Sequence, residues 1–212
     1  MNTQGRFIVF EGGEGTGKTT QLKLLEQKLR EKGFLVFVTR EPGGNGSEIA
    51  EKIRTIIKDP DHKNMAPETE LFLFLAARAQ HVQKHIRPHL ELSYIVICDR
   101  FFGSTLAYQH FGRGLFNLEE VKRINDFATG GLQPDLTILL DIDPEIGLAR
   151  KKDQQVQCRL DNEKLEFHEK VRKGYLNLSE TNKDWQIISA ENEIDSIHEN
   201  IWSHVSRLLE IV

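Results

Sequence analysis

A glycine-rich segment near the N-terminus constrains the fold of this chain most strongly. Residues 12–19 read Gly-Gly-Glu-Gly-Thr-Gly-Lys-Thr and match the pattern G-x-x-x-x-G-K-[ST]. The apolar run at residues 7–10 precedes this segment and predicts a strand buried on both faces of a parallel sheet. Leucines follow at helical spacing between residues 22 and 29, and Gly33 predicts the end of that helix. This order predicts a strand, a phosphate-binding loop and a helix.

Short apolar runs alternate with helical stretches along the rest of the chain. Four further strands are predicted at residues 34–38, 94–98, 136–142 and 185–188. One predicted helix carries Ile49, Ile53 and Ile56, and a long one runs from residue 68 toward 88. A third starts at a capping box of Asn117 and Glu120 and ends near Gly130, and a fourth starts at Ile194. We therefore expect an α/β fold of the P-loop NTPase type, a three-layer sandwich with a mainly parallel five-stranded sheet flanked by helices.

Composition bounds the size of the fold and the class of its partners. With 212 residues, 39% of them hydrophobic and 28% charged, the chain predicts a single domain, residues 1–212, with a sizeable core. No apolar run approaches the roughly 20 residues of a membrane span, and no signal peptide is evident, so a cytoplasmic protein without a membrane partner is expected. A net charge of -4 argues against a nucleic-acid partner and leaves room for a local basic cleft that binds a small anion.

The glycine-rich segment predicts a site for a nucleoside triphosphate. Glycines allow a tight turn whose backbone N–H groups point inward, next to the N-terminus of a helix. Lys18 would add a full charge near the β and γ phosphates, and the Thr19 hydroxyl would bind Mg²⁺. This loop alone does not distinguish a kinase from a GTPase or a motor ATPase. A GTPase is disfavoured because no aspartate is followed three places later by glycine.

Asp99 and Arg100 directly follow a predicted strand, at the sheet edge where open α/β folds bind ligands. The aspartate would hold Mg²⁺, partly through water, or orient an acceptor, and the arginine would bind an acceptor phosphate. A structural ion pair is the alternative.

Several separated motifs carry a resemblance to a known family. They are Glu-Gly-Gly-Glu-Gly-Thr-Gly-Lys-Thr-Thr at 11–20, Thr-Arg-Glu-Pro-Gly-Gly at 39–44, Leu-Ala-Ala-Arg-Ala-Gln at 75–80, Asp-Arg at 99–100, Pro-Asp-Leu-Thr at 134–137, Leu-Asp at 140–141 and Gly-Leu-Ala-Arg at 147–150. In this order, over almost the whole chain, they resemble bacterial thymidylate kinases. The resemblance implies transfer of the γ-phosphoryl group of ATP to dTMP with Mg²⁺, giving dTDP on the route to dTTP, in a cytosolic homodimer.

The resemblance also implies roles for individual residues. Phe74 would stack on the thymine and Arg78 would read it; Tyr108 would exclude a ribose 2′-hydroxyl. The residues expected to bind dTMP are Glu14, Arg40, Glu41, Pro42, Phe74, Arg78, Arg100, Ser104, Thr105, Tyr108 and Gln109. Those expected to bind ATP are Gly12, Gly13, Glu14, Gly15, Thr16, Gly17, Lys18, Thr19, Thr20, Arg150 and Arg159. Lys18, Asp99, Arg100 and Lys152 are the expected catalytic residues. The alternatives are plain core for Phe74, helix packing for Tyr108, and a surface loop for Ser104, Thr105 and Gln109.

Residues 150–161 correspond to the family's basic lid, and we expect this segment to be mobile. Related lids carry several arginines and a glycine, whereas this one has lysines, glutamines and Asp153. Position favours Lys152 as the cation that stabilises the transferring phosphoryl group, and a solvated basic helix end is the alternative. A kinase for another small acceptor, such as a deoxynucleoside, and a nucleotide-dependent binding switch are the competing functions.

Overall fold

A parallel sheet of five strands forms the centre of the described part of the chain. The structure, a computed structural model, describes residues 4–44, 46–152 and 159–211, and the side chains of Lys152 and Asp161 fall outside that description. The strands are β1 (Arg6–Glu11), β2 (Val36–Arg40), β3 (Ile95–Asp99), β4 (Leu136–Asp141) and β5 (Trp185–Ser189). Their order across the sheet is β2-β3-β1-β4-β5, and every pairing is parallel. The expected α/β fold class is confirmed.

Helices connect the strands and cover both faces of the sheet. They are α1 (Lys18–Glu31), α2 (Glu48–Lys58), α3 (Pro67–His81), α4 (Arg87–Glu91), α5 (Phe102–Thr105), α6 (Leu118–Thr129), α7 (Pro144–Lys152), α8 (Leu165–Thr181) and α9 (Ile194–Leu208). Two π-helical segments, Val82–Ile86 and Leu106–Gly112, continue α3 and α5, and a 3₁₀ turn spans Arg159–Asn162. Within the described ranges, no helix is long and apolar enough to cross a membrane.

Alternate residues of β1 enter two different cores. Ile8 and Phe10 pack with leucines of α1 on one face, while Phe7 and Val9 pack with Val82 on the other. All four β1 residues are at most 1% exposed. The expectation of a strand buried on both faces is therefore confirmed, and both cores hold the sheet edge rigidly beneath the loops that follow it.

The strand ends align at one edge of the sheet. In the register, Asp99 at the end of β3 lies opposite Phe10 of β1 on one side and Arg40 of β2 on the other. The segments that leave β1, β2 and β3 therefore start at the same level, which is how residues far apart in sequence meet above this edge.

The long helix predicted from residue 68 toward 88 contains a change in helix type. A π turn at Val82–Ile86 precedes Pro88, which lies in the first turn of α4. A π turn at this point accommodates a residue that cannot donate a backbone hydrogen bond. The capping box is confirmed: the Glu120 amide donates to Asn117 Oδ1 at 2.8 Å. Gly130, with a left-handed φ of 60°, follows Thr129 and caps the end of α6.

Candidate active site

The glycine-rich loop folds around its own lysine. Lys18 opens α1, and its Nζ donates to the carbonyl oxygens of Gly13 at 2.7 Å and Gly12 at 3.1 Å. Burial and the nearby Arg100 lower the pKa of Lys18 to about 8, against the raising effect of neighbouring carboxylates. The ammonium therefore lies inside the loop, which is where the phosphate chemistry predicted from the motif requires it.

Close backbone contact explains one of the glycines in this loop. Gly15 has a left-handed φ of +66°, and a Cβ on it would lie 1.9 Å from the carbonyl oxygen of Gly147 in α7. A Cβ on Gly147 would in turn lie 2.3 Å from the Glu14 carbonyl oxygen. Only glycines allow the loop to rest on α7, the helix that leads into the predicted lid.

Glu14 is the acidic centre of this part of the site. Its carboxylate accepts from Arg100 at 2.8 Å, from the Tyr108 hydroxyl at 2.9 Å and from Lys151 at 2.5 Å. Burial alone would raise the pKa of Glu14, but Arg100, Lys18 and Lys151 outweigh burial and hold the pKa well below its usual range. Glu14 is thus a fixed negative charge that orients three side chains above the loop.

A second buried carboxylate, on Glu11 at the end of β1, anchors the start of α5 and is linked to Arg100 through the Tyr175 hydroxyl. Glu11 accepts from the amides of Phe101 and Ser104 and from the Ser104 and Tyr175 hydroxyls, at 2.6 to 3.0 Å. Burial raises the pKa of Glu11. Arg100 donates to the Tyr175 hydroxyl at 3.1 Å and to the Gly12 carbonyl at 2.9 Å. The motif search did not single out Glu11 or Tyr175 as functional residues.

Asp99 is the candidate metal ligand that geometry leaves available. Its Oδ1 is buried and has no hydrogen-bond partner among the described residues. Arg100, for which a structural ion pair was the alternative role, does pair with Glu14, at 2.8 Å. Thr19, the other expected Mg²⁺ ligand, lines the same cavity as Asp99. An orphaned buried carboxylate oxygen and a hydroxyl are suitable ligands for this hard cation.

One cavity of about 800 Å³ joins the glycine-rich loop to the acceptor residues. The expected site residues that line it are Glu14, Gly15, Thr16, Gly17, Lys18, Thr19, Thr20, Arg40, Glu41, Pro42, Phe74, Asp99, Arg100, Ser104, Thr105, Tyr108, Gln109 and Arg150. Gly12 and Gly13 belong to the glycine-rich loop and accept hydrogen bonds from Lys18 through their carbonyl oxygens, but they are not among the described residues that line the cavity. The side chain of Lys152, the expected catalytic cation, lies outside the described residues, as do residues 153–158 of the expected lid.

The cavity also has a wall that the motif search missed. Residues 190–194 follow β5 and line it, and Arg150 donates to the Ala190 carbonyl at 2.9 Å. The other lining residues that were not predicted are Gln21, Arg54, Ile57, Lys58, Lys151, Leu160 and Ile197. The signal for residues 190–194 was present, because they leave the same sheet edge as Asp99.

Phe74 and Arg78 lie on one face of α3 but differ in exposure to the cavity. Phe74 is half-buried and lines the cavity, so it is not plain core. Arg78 is 2% exposed and lies behind Thr105, to whose hydroxyl oxygen its Nη1 donates at 2.7 Å. Its Nε donates to Glu41 at 2.6 Å. Burial raises the pKa of Glu41, and Arg78 and His81 overcome this effect and lower it.

A second ion cluster, around Glu70 of α3, lies beside Gln109. The buried Glu70 carboxylate accepts from Gln109 Nε2 at 2.9 Å and from Arg113 at 3.3 Å, and it also pairs with Arg159. Arg159 was expected at ATP; the structure places it against Glu70 and the Ile57 carbonyl, and it is not among the described residues that line the cavity. Ser104, Thr105 and Gln109 lie in α5 and the π-helical segment after it, not in a surface loop.

Comparison with known proteins agrees with this geometry. The family model described as thymidylate kinase matches residues 10–201. The chain belongs to the thymidylate kinase family. A thymidylate kinase of Geobacillus sp. (strain WCH70) is 51% identical over 197 residues, 92% of each chain, and one of Geotalea daltonii is 52% identical over 186 residues, 84% of this chain and 86% of the relative.

A solved structure of thymidylate kinase from Ehrlichia chaffeensis shares the fold. It superimposes with a TM-score of 0.77 at 30% identity and covers 96% of this chain and 99% of the other. Membership of the thymidylate kinase family makes this chain a phosphotransferase with ATP as phosphoryl donor, which converts dTMP to dTDP in dTTP biosynthesis.

Proposed function

We propose that the cavity holds ATP and dTMP end to end, with the phosphates meeting between Lys18 and Arg100. The observation that carries this assignment is the continuous lining from the glycine-rich loop through Arg100 and Arg40 to Phe74. Arg40 and Arg100 leave neighbouring strands at the same level, so two guanidinium groups can bind one acceptor phosphate. This arrangement aligns the acceptor oxygen with the γ-phosphorus, which is the main requirement of phosphoryl transfer.

On the donor side, we propose that Lys18 exchanges its carbonyl partners for phosphate oxygens. The carbonyls of Gly12 and Gly13 hold the ammonium in the loop, and a triphosphate offers stronger, charged acceptors. Loop amides from Gly15 to Thr20 bind the remaining oxygens. Arg150, fixed by the Ala190 carbonyl, contacts the nucleoside part of ATP. Lys152 supplies the closing cation from the lid.

Mg²⁺ fits the donor set formed by Thr19 and Asp99. The orphaned Asp99 Oδ1 supports this assignment because a buried carboxylate oxygen without a partner is costly unless a cation or water satisfies it. When bound, the ion would offset charge on the β and γ phosphates. Arg100 and Lys18 orient the phosphates from the protein side.

The end of the cavity away from the glycine-rich loop would recognise the nucleoside of dTMP. We propose that Phe74 stacks on the thymine, since its ring is half-buried and faces the cavity. Arg78 lies behind the cavity wall and acts on the base through the Thr105 hydroxyl, to which it donates. The Arg100 guanidinium lies over the Tyr108 ring, with Cζ 5.2 Å from the ring centroid. The Tyr108 hydroxyl donates to Glu14. This rigid ring occupies the space that a ribose 2′-hydroxyl would need.

We further propose that the enzyme is a cytoplasmic homodimer. Phe127 of α6 is 91% exposed and Phe72 of α3 is 58% exposed, on helices that pack against each other. Large apolar side chains exposed on neighbouring helices are typical of an interaction surface, and a second copy of the chain would cover them. Light scattering should give twice the chain mass, and Phe127→Lys should shift it toward the monomer.

The decisive experiment measures ADP release from ATP and Mg²⁺ with a panel of acceptors: dTMP, dUMP, dCMP, AMP and thymidine. We expect release that depends on dTMP and that falls by about a hundredfold or more in Arg100→Met. Arg30→Met, at an exposed pair with Glu26, is the matched control and should match the wild type. ADP release with thymidine but not dTMP, or release independent of any acceptor, would refute the proposal.

A further inference from the structure

Gln109 lines the cavity, and one of its two side-chain polar atoms already forms a hydrogen bond. The side chain is 1% exposed and lines the cavity at the acceptor end. Its amide nitrogen donates to Glu70 Oε1 at 2.9 Å, and within the described ranges its own Oε1 accepts no hydrogen bond. The amide therefore has one occupied end and one end available to a ligand.

Glu70 determines which end is available. Burial would raise the pKa of Glu70, but Arg113, Gln109 and Arg159 outweigh burial and lower it, so the carboxylate is ionised at neutral pH. An ionised carboxylate only accepts hydrogen bonds. Gln109 must turn its NH₂ group toward Glu70, which leaves the carbonyl oxygen as the group that a bound base meets.

Thr105, the neighbouring wall residue, has the opposite polarity. Its hydroxyl oxygen accepts from Arg78, which has no acceptor atom, so the Thr105 hydroxyl proton is left for another partner. A buried anion behind Gln109 and a buried cation behind Thr105 thus impose an acceptor and a donor on two otherwise adaptable side chains.

We infer that Glu70 is a positioning residue for base selection: it locks the Gln109 amide so that an acceptor faces the ring nitrogen of the base. This inference rests on the proposed placement of the base beside Phe74. Thymine and uracil carry N3–H, a donor that matches the Gln109 oxygen. Cytosine carries an unprotonated N3, which would face that oxygen lone pair to lone pair and leave both unsatisfied.

Glu70→Gln tests the lock with little change in shape. A glutamine at this position can present either NH₂ or carbonyl oxygen, so Gln109 becomes free to turn over. We expect the ratio of kcat/KM for dTMP to kcat/KM for dCMP to fall by about tenfold or more, with a gain for dCMP and an unchanged KM for ATP. If Glu70 had only a structural role, the substitution would lower kcat/KM for both nucleotides by the same factor.

Arg113→Gln is the matched control for loss of the ion pair. It removes a cation from Glu70 and leaves the carboxylate in contact with Gln109. The melting temperature should fall while the dTMP to dCMP ratio stays at the wild-type value. The inference is overturned if Glu70→Gln keeps the wild-type ratio, or if Arg113→Gln lowers the ratio equally.

Two further variants keep the result interpretable. If Glu70→Gln does not fold, Glu70→Gln with Arg159→Gln removes a buried cation at the same time, and its ratio is compared with that of Arg159→Gln alone. Gln109→Met reports on the base placement itself. An unchanged KM for dTMP in Gln109→Met would refute the proposed placement, whereas a raised KM together with a wild-type ratio in Glu70→Gln would refute the lock alone.

Discussion

Glu41→Gln should be among the most destabilising isosteric changes that this chain can carry. Glu41 leaves β2 and its carboxylate binds Arg78 Nε at 2.6 Å and His81 Nδ1 at 3.1 Å. The Glu41 and Arg78 side chains are 3% and 1% exposed. The substitution preserves shape and removes the charge that balances a guanidinium sealed from water.

The size of the effect follows from that burial. Breaking a buried pair by neutralising one partner costs about 3–5 kcal/mol, because the other charge stays desolvated. Arg78 retains contacts with Thr105, Asn125 and the Phe101 carbonyl, which orient it but supply no negative charge. At about 2–4 °C per kcal/mol for a domain of this size, the melting temperature should fall by about 6–20 °C.

Calorimetry or urea unfolding at pH 7 measures this loss, with Glu26→Gln as the control. Glu26 binds Arg30 at 2.8 Å, but the pair is exposed on α1, so its loss should cost about 0.2–1 kcal/mol. If Glu41→Gln lies within about 1 kcal/mol of Glu26→Gln, buried charge is not what holds Arg78, and the stability argument fails.

The same variant predicts a pH dependence. The pKa of Glu41 is lowered in the folded protein from an ordinary value of 4.5. Its contribution to stability is therefore complete above pH 4.5 and is lost as the pH falls through the folded pKa. The stability gap between wild type and Glu41→Gln should be constant from pH 6 to 8 and should close in acid; a gap that widens in acid would contradict the assigned sign.

Three further predictions test the donor side. Since the pKa of Lys18 is about 8, kcat/KM for ATP should fall about tenfold per pH unit above that value. Lys18→Arg stays charged over this range, so its turnover should be slower but its kcat/KM should no longer fall above about pH 8. The same pH profile in Lys18→Arg as in the wild type would mean that another group causes the fall. Gly15→Ala should weaken ATP binding, measured by titration calorimetry, about tenfold or more because its methyl group would clash with the Gly147 carbonyl oxygen. Gly33→Ala is the control: its φ is +86° with open space around it, so it should lower stability and leave ATP affinity unchanged. Equal ATP affinities in the two variants would show that this clash does not matter for binding. Lys152→Ala should lower kcat, and Lys152→Arg should raise it through bidentate geometry; unchanged turnover in Lys152→Ala would exclude this lysine.

Hydrophobic patterning was sufficient to predict the sheet. The predicted strands at 94–98 and 185–188 agree with Ile95–Asp99 and Trp185–Ser189 to within a residue or two. The first of them is buried on both faces and therefore reads as an unbroken apolar run, whereas the second contains Gln186 and leaves Ile187 half exposed. The π turns at Val82–Ile86 and Leu106–Gly112 were not predictable in this way. An apolar face spaced for an α-helix tolerates one wider turn, so residue spacing carries no distinct signal for it.

Only part of the site was predictable from the sequence. The glycine-rich loop, Asp99 and Arg100 follow strands directly, so the rule for sheet edges places them. Tyr175 reaches Glu11 from 164 residues away, and Glu70 meets Arg159 across 89 residues. Those pairings are set by how helices pack on the sheet, and a single side chain in a helix gives no local sign of which distant carboxylate it will bind.

Charge in the cavity explains how a chain with a net charge of -4 binds two anionic substrates. Its lining has seven basic side chains against five acidic ones: Lys18, Arg40, Arg54, Lys58, Arg100, Arg150 and Lys151, and Glu14, Glu41, Asp99, Glu191 and Glu193. A phosphate monoester carries about 1.5 to 2 negative charges near pH 7. The acceptor alone therefore consumes the surplus, and the triphosphate requires cations from outside this lining. The proposed Mg²⁺ at Asp99 and the proposed Lys152 would supply them, so we expect phosphoryl transfer only when both substrates and both cations are present together.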